Sequence, residues 1–361
     1  MTDREIATIA AKQFSSDQIL NIAPFGQGHI NTTYSVKYKA KSGISYRYLL
    51  QKINTYVFKK PDELMENIVG VTEFLLPLCG ERGTLTVIRT LDGQNYYKDD
   101  FDNYWCVYIF LENTTAYQQI EKDSDFYTCG EAFGEFQKLL SDYPAEKLHE
   151  TIPDFHNTPS RFADLHKAIE ENKADRLNLV KDEIDFVLAR EHKADAITSK
   201  LASGEIPTRV THNDTKLNNI LIDNESGKAI CVIDLDTVMP GATAYDFGDS
   251  IRFGASTAAE DETDLSKVEL SLHLFEVFSK GFLKSANSFL TPAEKDSLVT
   301  GAYLMTLECG VRFLTDYLNG DVYFKIHREH HNLDRCRTQF KLVADMEKKE
   351  ERMREIINSI K

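Results

Sequence analysis

Val210–Thr211–His212–Asn213–Asp214–Thr215–Lys216–Leu217–Asn218–Asn219–Ile220–Leu221, followed by Val232–Ile233–Asp234–Leu235–Asp236, decides the reading of this chain. Its polar residues fall in the pattern His-x-Asp-x-Lys-x-x-Asn, and an apolar run ending on an acid comes after them. That order sets a base, a cation and two oxygen ligands for a metal at the spacing phosphoryl transfer requires. Asp214 is placed to accept the proton of an attacking hydroxyl, and Lys216 to face the transferring phosphoryl group. Asn219 and Asp234 are the candidate ligands for Mg²⁺, which suits one side-chain amide and one carboxylate completed by waters and phosphates.

A lone His-x-Asp would carry little weight. Here the string runs into Ile220–Leu221–Ile222, a turn at Asp223–Asn224–Glu225–Ser226–Gly227 and a second apolar run from Ala229 to Ile233. The pattern predicts a β-hairpin with functional residues at both open ends. The plainer reading, in which Asp214 and Asn219 cap turns and Asp234 ends a strand, leaves the fixed offsets unexplained. Asp246–Phe247–Gly248 spells a protein-kinase metal motif, but it lies 32 residues past Asp214 and follows Met239–Pro240–Gly241 instead of a strand. Asp246 therefore reads as a brace, a carboxylate accepting backbone N–H groups of the catalytic loop.

Upstream, Pro24–Phe25–Gly26–Gln27–Gly28–His29–Ile30–Asn31–Thr32–Thr33–Tyr34 gives a glycine-containing turn between two short strands. Glycine tolerates positive φ and lets backbone N–H groups approach a phosphate, so Gly26 and Gly28 are candidate nucleotide contacts. The next strand, Tyr46–Arg47–Tyr48–Leu49–Leu50–Gln51–Lys52–Ile53, occupies the place of a phosphate-pairing lysine. The pattern aligns Gln51, not Lys52, with that position, and the two side chains fall on opposite faces of a strand. Pro61 to Leu78 is helical, with Glu63, Glu66 and Glu73 as possible partners for a lysine there. A short helix is expected within residues 1–20. Trp105 to Thr115 reads as a buried strand entering a polar segment, with Trp105 in the core. Phe126 to Leu140 is helical, Phe162 to Leu201 reads as two amphipathic helices, and Thr291–Pro292–Ala293–Glu294 opens a capped helix running to about Asn319. Arg337 to Ile360 reads as a charged, solvated terminal helix.

At 361 residues the chain is long enough for two domains or one two-lobed enzyme, and 42% hydrophobic residues provide for a sizeable core. The formal charge of −15 argues against nucleic acid or an anionic membrane as partner. No signal peptide or apolar span is read, and six scattered cysteines without a Cys-x-x-Cys pair suit free thiols in a reducing cytoplasm. The expected state is a cytoplasmic monomer.

On these strings the chain resembles the aminoglycoside-phosphotransferase/choline-kinase superfamily, and over its length it is similar to the N-acetylhexosamine 1-kinase group. Asp246–Phe247–Gly248–Asp249–Ser250–Ile251–Arg252–Phe253–Gly254–Ala255–Ser256–Thr257 is the most specific of the matching strings, and glutamine at position 51 is a trait of the same group. The resemblance implies an α+β, two-lobed, protein-kinase-like fold. A small N-terminal nucleotide-binding lobe with a five-stranded antiparallel sheet (residues 1–112) precedes a larger, mainly helical catalytic and sugar-binding lobe (113–361). It implies ATP and Mg²⁺ as cofactors and phosphorylation of the anomeric O1 of N-acetylglucosamine or N-acetylgalactosamine. A neutral sugar must be held by directional hydrogen bonds and a stacking surface. The candidates are His29, Asp214, Arg312, and the rings of Phe253 and Tyr323. Arg312 has Glu308 and Asp316 four residues to either side; they form a surface ladder with it or orient it toward sugar hydroxyls, and the resemblance favours orientation. An aminoglycoside or choline kinase of the same fold is the alternative.

Overall fold

The structure, a computed structural model, describes residues 1–26, 30–117 and 120–361. The strands are β1 (Gln18–Pro24), β2 (Thr32–Lys39), β3 (Ser45–Ile53), β4 (Tyr97–Lys98), β5 (Tyr104–Ile109), β6 (Thr114–Thr115), β7 (Arg209–Thr211), β8 (Ile220–Asp223), β9 (Ala229–Val232) and β10 (Met239–Gly241). The helices are α1 (Asp3–Ala11), α2 (Pro61–Cys79), α3 (Asp123–Leu139), α4 (Thr158–Glu171), α5 (Lys181–Leu188), α6 (Thr198–Ser203), α7 (Thr243–Gly254), α8 (Leu272–Ala286), α9 (Pro292–Leu318) and α10 (His331–Ser359). The fold is α+β, with an antiparallel sheet in the N-terminal region and a larger helical C-terminal part. Two compact units emerge: Met1–Ala116 with Asp142–Pro153 and Leu221–Met239, and Tyr117–Ser141 with Asp154–Ile220 and Pro240–Lys361.

In the first unit the sheet order is β1-β2-β3-β5-β4. Tyr34, Val36 and Tyr38 alternate inward along β2 and meet Leu50, Trp105 and Val107, closed over by Ala7, Ala10, Ala11 and Phe14. Alanines at the contact bring α1 close to the sheet, and a Thr2–Glu5 capping box fixes where the helix starts. The helix expected within residues 1–20 ends at Ala11, because Gln18–Pro24 is taken up by pairing with β2. Trp105 is buried and its indole N–H donates to Asp99 at 2.8 Å. The predicted hairpin is present as β8 and β9, with β6 on its outer side; Gly227 turns it at φ +67°.

In the second unit, helices cross where glycine removes the side chain. A Cβ on Gly301 of α9 would lie 2.1 Å from the Ala244 carbonyl oxygen of α7, and one on Gly248 would lie 2.4 Å from the Gly301 oxygen. Helices α3 and α8 meet in the same way at Gly130, Gly134 and Gly281. Helix α9 opens on the expected Thr291–Glu294 capping box. Two expectations need correcting. Between 158 and 203 there are three helices, since Asn172 terminates α4 in the left-handed region at φ 41° and α5 and α6 are short. Helix α10 is not simply a solvated element: Leu333, Cys336, Phe340 and Val343 form an apolar stripe that enters the core with α9. Dense charges on its other faces mask that stripe in the composition. Among the described residues no helix is long and apolar enough to cross a membrane.

Gly301→Ala should lower stability by about 1–3 kcal/mol through overpacking of α9 on α7. Urea unfolding monitored by circular dichroism checks this, and an unchanged midpoint would refute the backbone contact.

Candidate active site

The loop that follows β7 is buried, and its backbone has left the sheet. His212 and Asn213 must still find acceptors for their N–H groups. Asp246 supplies them: one carboxylate oxygen accepts from His212 N at 2.9 Å and the other from Asn213 N at 2.7 Å. The Gln137 side chain donates to the same carboxylate. Asp249, three residues on and so on the same face of α7, accepts from Thr215 N at 3.1 Å. Ser250 donates to the Thr215 carbonyl at 2.8 Å. Asn213 takes φ 65°, a left-handed conformation that asparagine tolerates. The brace read for Asp246 from sequence is therefore present. Burial pushes the Asp246 carboxyl above its ordinary range, against the pull of His212 and its hydrogen bonds.

The loop so held presents Asp214. Lys216 Nζ reaches its Oδ1 at 2.6 Å, and Asn219 Nδ2 donates to its Oδ2 at 3.1 Å and to its carbonyl at 2.8 Å. Each carboxylate oxygen keeps a lone pair, so Asp214 stays competent to accept a proton. Burial alone would depress the Lys216 ammonium, but Asp214 and Asp249 more than reverse that and hold it charged. Burial would likewise raise Asp249, yet Arg252 and Lys216 bring it below the ordinary carboxylate value. Arg252 donates to Asp249 from Nε at 3.1 Å and Nη2 at 2.9 Å, and from Nη1 to Glu260 at 2.8 Å. Asp214, Lys216 and Asn219 are thus brought together.

Asp234 belongs to the other unit, directly after β9, with φ 62°. In that unit Gln51 pairs with Thr33 and Cys106 across the sheet, while Lys52 pairs with Thr32 and Trp105. Lys52 therefore shares the α1-facing side with Leu50, and Gln51 takes the opposite side, where Cys106 Sγ donates to its Oε1 at 3.7 Å. Burial followed by the Asp236 charge pushes the Cys106 thiol up to about 12. Tyr108, on that same face, is raised well above its usual value by burial, Cys106, Asp236 and Asp234. The acid-bearing segment thus lies on the Gln51 side. Asn31 donates to the Asp236 carboxylate and accepts from Asn54 N at 2.7 Å, which ties the end of the glycine turn to the acid segment. Gly26 has φ +77°; Gly28 and His29 lie outside the described residues.

None of the α2 acids offered as lysine partners serves that purpose. Glu63 binds Lys60, Glu66 binds His149 and Glu73 binds Arg89. Helix α2 contributes Asn67 instead, which is buried and donates to the carbonyls of His149 at 2.8 Å and Val238 at 3.0 Å. Nothing in the local sequence marks that asparagine, since its partners are remote backbone.

The surface ladder allowed by the spacing of Arg312 does not form. Among the described residues Arg312 forms no ion pair with Glu308 or Asp316; its guanidinium lies over the rings of Phe324 (5.5 Å), Phe155 (5.6 Å) and Tyr323 (5.9 Å). Asp316 accepts the backbone N–H groups of Val322, Tyr323 and Phe324 at 3.0, 2.8 and 3.0 Å. Glu308, buried, binds His156 Nδ1 at 2.9 Å and the Thr158 hydroxyl at 2.7 Å. Desolvation would raise its carboxyl, but His156, the Thr158 bond and Arg312 keep it below the ordinary range. Tyr323 and Phe253 leave 60% and 41% of their surface exposed. The pairing of His156 with Glu308 was missed because the two are 152 residues apart in sequence.

Residues 21–269, more than half of the chain, match the family described as "Phosphotransferase enzyme family". Among solved structures, the chain is similar to a microcompartment-associated aminopropanol kinase (TM-score 0.58, 15% identity, 97% of this chain and 98% of that one). It is also similar to an amicoumacin kinase in complex with AMP-PNP, Ca²⁺ and its ligand (0.63, 13%, 94% and 93%), and to the ethanolamine kinase of Plasmodium vivax (0.55, 14%, 91% and 84%). At these identities the likeness is one of fold.

Two variants test the geometry. Lys52→Ala should leave the affinity for nucleotide within about twofold, since its side chain sits on the α1 side of β3; a loss of two orders of magnitude would refute that register. Asp246→Asn places an NH2 donor against one of the two buried N–H groups and should cost about 1–3 kcal/mol of stability, read by chemical denaturation.

Proposed function

This chain belongs to the phosphotransferase enzyme family, and we propose that within it the chain is an ATP- and Mg²⁺-dependent kinase of N-acetylhexosamines that phosphorylates the anomeric O1. The observation that carries the reaction type is Asp214, fixed at both carboxylate oxygens on a loop whose backbone is braced by Asp246 and Asp249. Asp214 removes the proton from O1 as that oxygen attacks the terminal phosphorus of ATP and the bond from that phosphorus to the bridging oxygen breaks, releasing ADP. An anomeric hydroxyl is more acidic than an ordinary alcohol, so a carboxylate is an adequate base. Lys216 carries the positive charge that the transferring group requires. The nucleotide falls to residues 1–112, with Gly26, Gly28 and Gln51 as contacts, and catalysis and sugar binding to 113–361.

Asn219 and Asp234 would each supply one oxygen to Mg²⁺. The donor set fits: the Asn219 amide nitrogen is committed to Asp214, which leaves its carbonyl oxygen for a hard cation. When bound, the ion supplies charge neutralisation along the phosphates.

The alternative is another small hydroxyl compound, and the similar folds named above include kinases of amino alcohols. The aromatic cluster speaks against a cationic acceptor. Phe155, Tyr323 and Phe324 already hold the guanidinium of Arg312, so the ring faces that would cage an ammonium group are occupied by the protein's own cation. A neutral sugar meets no such conflict and can use Arg312 as a donor.

The test is transfer from ATP to N-acetylglucosamine, N-acetylgalactosamine, glucose, kanamycin, choline and ethanolamine, with ³¹P NMR of the product. Phosphate at C1 of the N-acetyl sugars is expected; transfer confined to the amines would replace the substrate while keeping the machinery. Asp214→Asn should lower kcat by about 10²–10⁴-fold with nucleotide binding retained, and undiminished turnover would remove Asp214 from the role of base.

A further inference from the structure

His156 is held like a functional residue but has no function in the scheme above. Its Nδ1 faces the Glu308 carboxylate at 2.9 Å, with side-chain exposures of 10% and 2%. The second carboxylate oxygen is fixed by Thr158, and the imidazole packs between Phe155 and Tyr245, at centroid distances of 4.6 and 5.2 Å. Its other nitrogen, Nε2, is buried with no hydrogen-bond partner among the described residues. A buried polar atom left open calls for an explanation, because desolvating it costs free energy that only a partner offsets.

The chemistry of that partner can be narrowed. The Glu308 carboxylate can only accept, so Nδ1 carries the proton it shares. Nε2 is then a lone pair in the neutral ring and a donor in the charged one. A hydroxyl group satisfies either state, since it both gives and accepts. The location agrees: the imidazole packs on Tyr245, the residue before Asp246, whose carboxylate braces the catalytic loop. Arg312, one turn beyond Glu308 on α9, acts on the Glu308 carboxylate as well.

Resting on the sugar-kinase reading, we infer that His156 is an acceptor-binding residue whose Nε2 pairs with a ring hydroxyl of the bound sugar, with Glu308 and Thr158 as positioning residues. The Glu308–His156 pair sets the tilt of the ring, so that the hydroxyl is recognised by direction and not by charge. A site built to bond a hydroxyl discriminates strongly against an acceptor that lacks it, because its buried nitrogen is then left open.

The experiment is a comparison of N-acetylglucosamine with its 3-, 4- and 6-deoxy analogues in the wild type and in His156→Ala. In the wild type one analogue should show a KM raised about tenfold or more. In His156→Ala the parent sugar should suffer a similar rise in KM, with kcat and the KM for ATP within about twofold, and the penalty for that one analogue should vanish while the others keep theirs. A merely structural histidine would weaken all acceptors alike. His156→Gln, closer in volume and able to keep one hydrogen bond, carries the same comparison should the alanine variant unfold, and is expected to change discrimination at the same single position. Glu308→Gln should move acceptor KM and leave ATP KM unchanged. Unchanged acceptor KM in the histidine variants, or deoxy penalties identical to the wild type at every position, overturns the inference and implies that a trapped water satisfies Nε2. A wild type that phosphorylates neither N-acetyl sugar overturns the reading beneath it and the hydroxyl assignment with it.

Discussion

Two backbone N–H groups in a buried loop, those of His212 and Asn213, set the terms for much of the C-terminal unit. They have left the ladder of β7 and cannot reach water, so an acceptor must be brought to them. Asp246 does this at the cost of being buried itself, which raises its carboxyl above the usual range. The carboxylate can stand there only if α7 is fixed closely, and α7 is fixed by backbone contact with α9 through Gly248 and Gly301. A run of dependencies therefore leads from two glycines, through a helix position, to the direction in which Asp214 faces.

The N-terminal unit obeys a different constraint, the period of two in a strand. Once Tyr34, Val36, Tyr38 and Leu50 are committed to the α1 side, the alternate positions have no choice of face. Gln51 falls beside Cys106 and Tyr108, on the side of the acids at 234 and 236, and Lys52 falls with Trp105. A neutral amide at this position brings no charge to a phosphate. In the other unit Lys216, half-buried, is kept charged by two carboxylates.

How legible this was depends on the distance over which each signal acts. The hairpin at 220–232, the capping box at 291–294, the brace at Asp246 and the burial of Trp105 were readable, because turn chemistry, fixed offsets and apolar context are local. The spacing of Glu308, Arg312 and Asp316 was local too, yet the ladder it allowed did not form. Helical periodicity says which side chains could meet, not which competitors outbid them, and here the competitors were His156, Thr158 and three backbone N–H groups from elsewhere in the chain. The acids of α2 and the apolar stripe of α10 failed for related reasons: surface partners claimed the former, and flanking charge hid the latter. Asn67 and His156 left no sequence signal, since each is defined by partners far away in the chain.

Three charged groups of the second unit share one property that bears on what the protein can hold. Arg252 is saturated by Asp249 and Glu260, Glu308 by His156 and Thr158, and Asp316 by backbone donors and Asn332. An acidic surface built to attract an amine would leave carboxylates unpaired, because an internally paired carboxylate offers little further attraction and would have to surrender a buried partner to gain a new one. The net charge of −15 is thus not delivered to this region as free acid. What remains among the described residues is directional: a guanidinium over three rings, the exposed rings of Tyr323 and Phe253, and a buried imidazole nitrogen without a hydrogen-bond partner. Such an inventory distinguishes hydroxyl patterns better than it distinguishes charge, and it is what supports the proposal of a sugar acceptor over an amino alcohol.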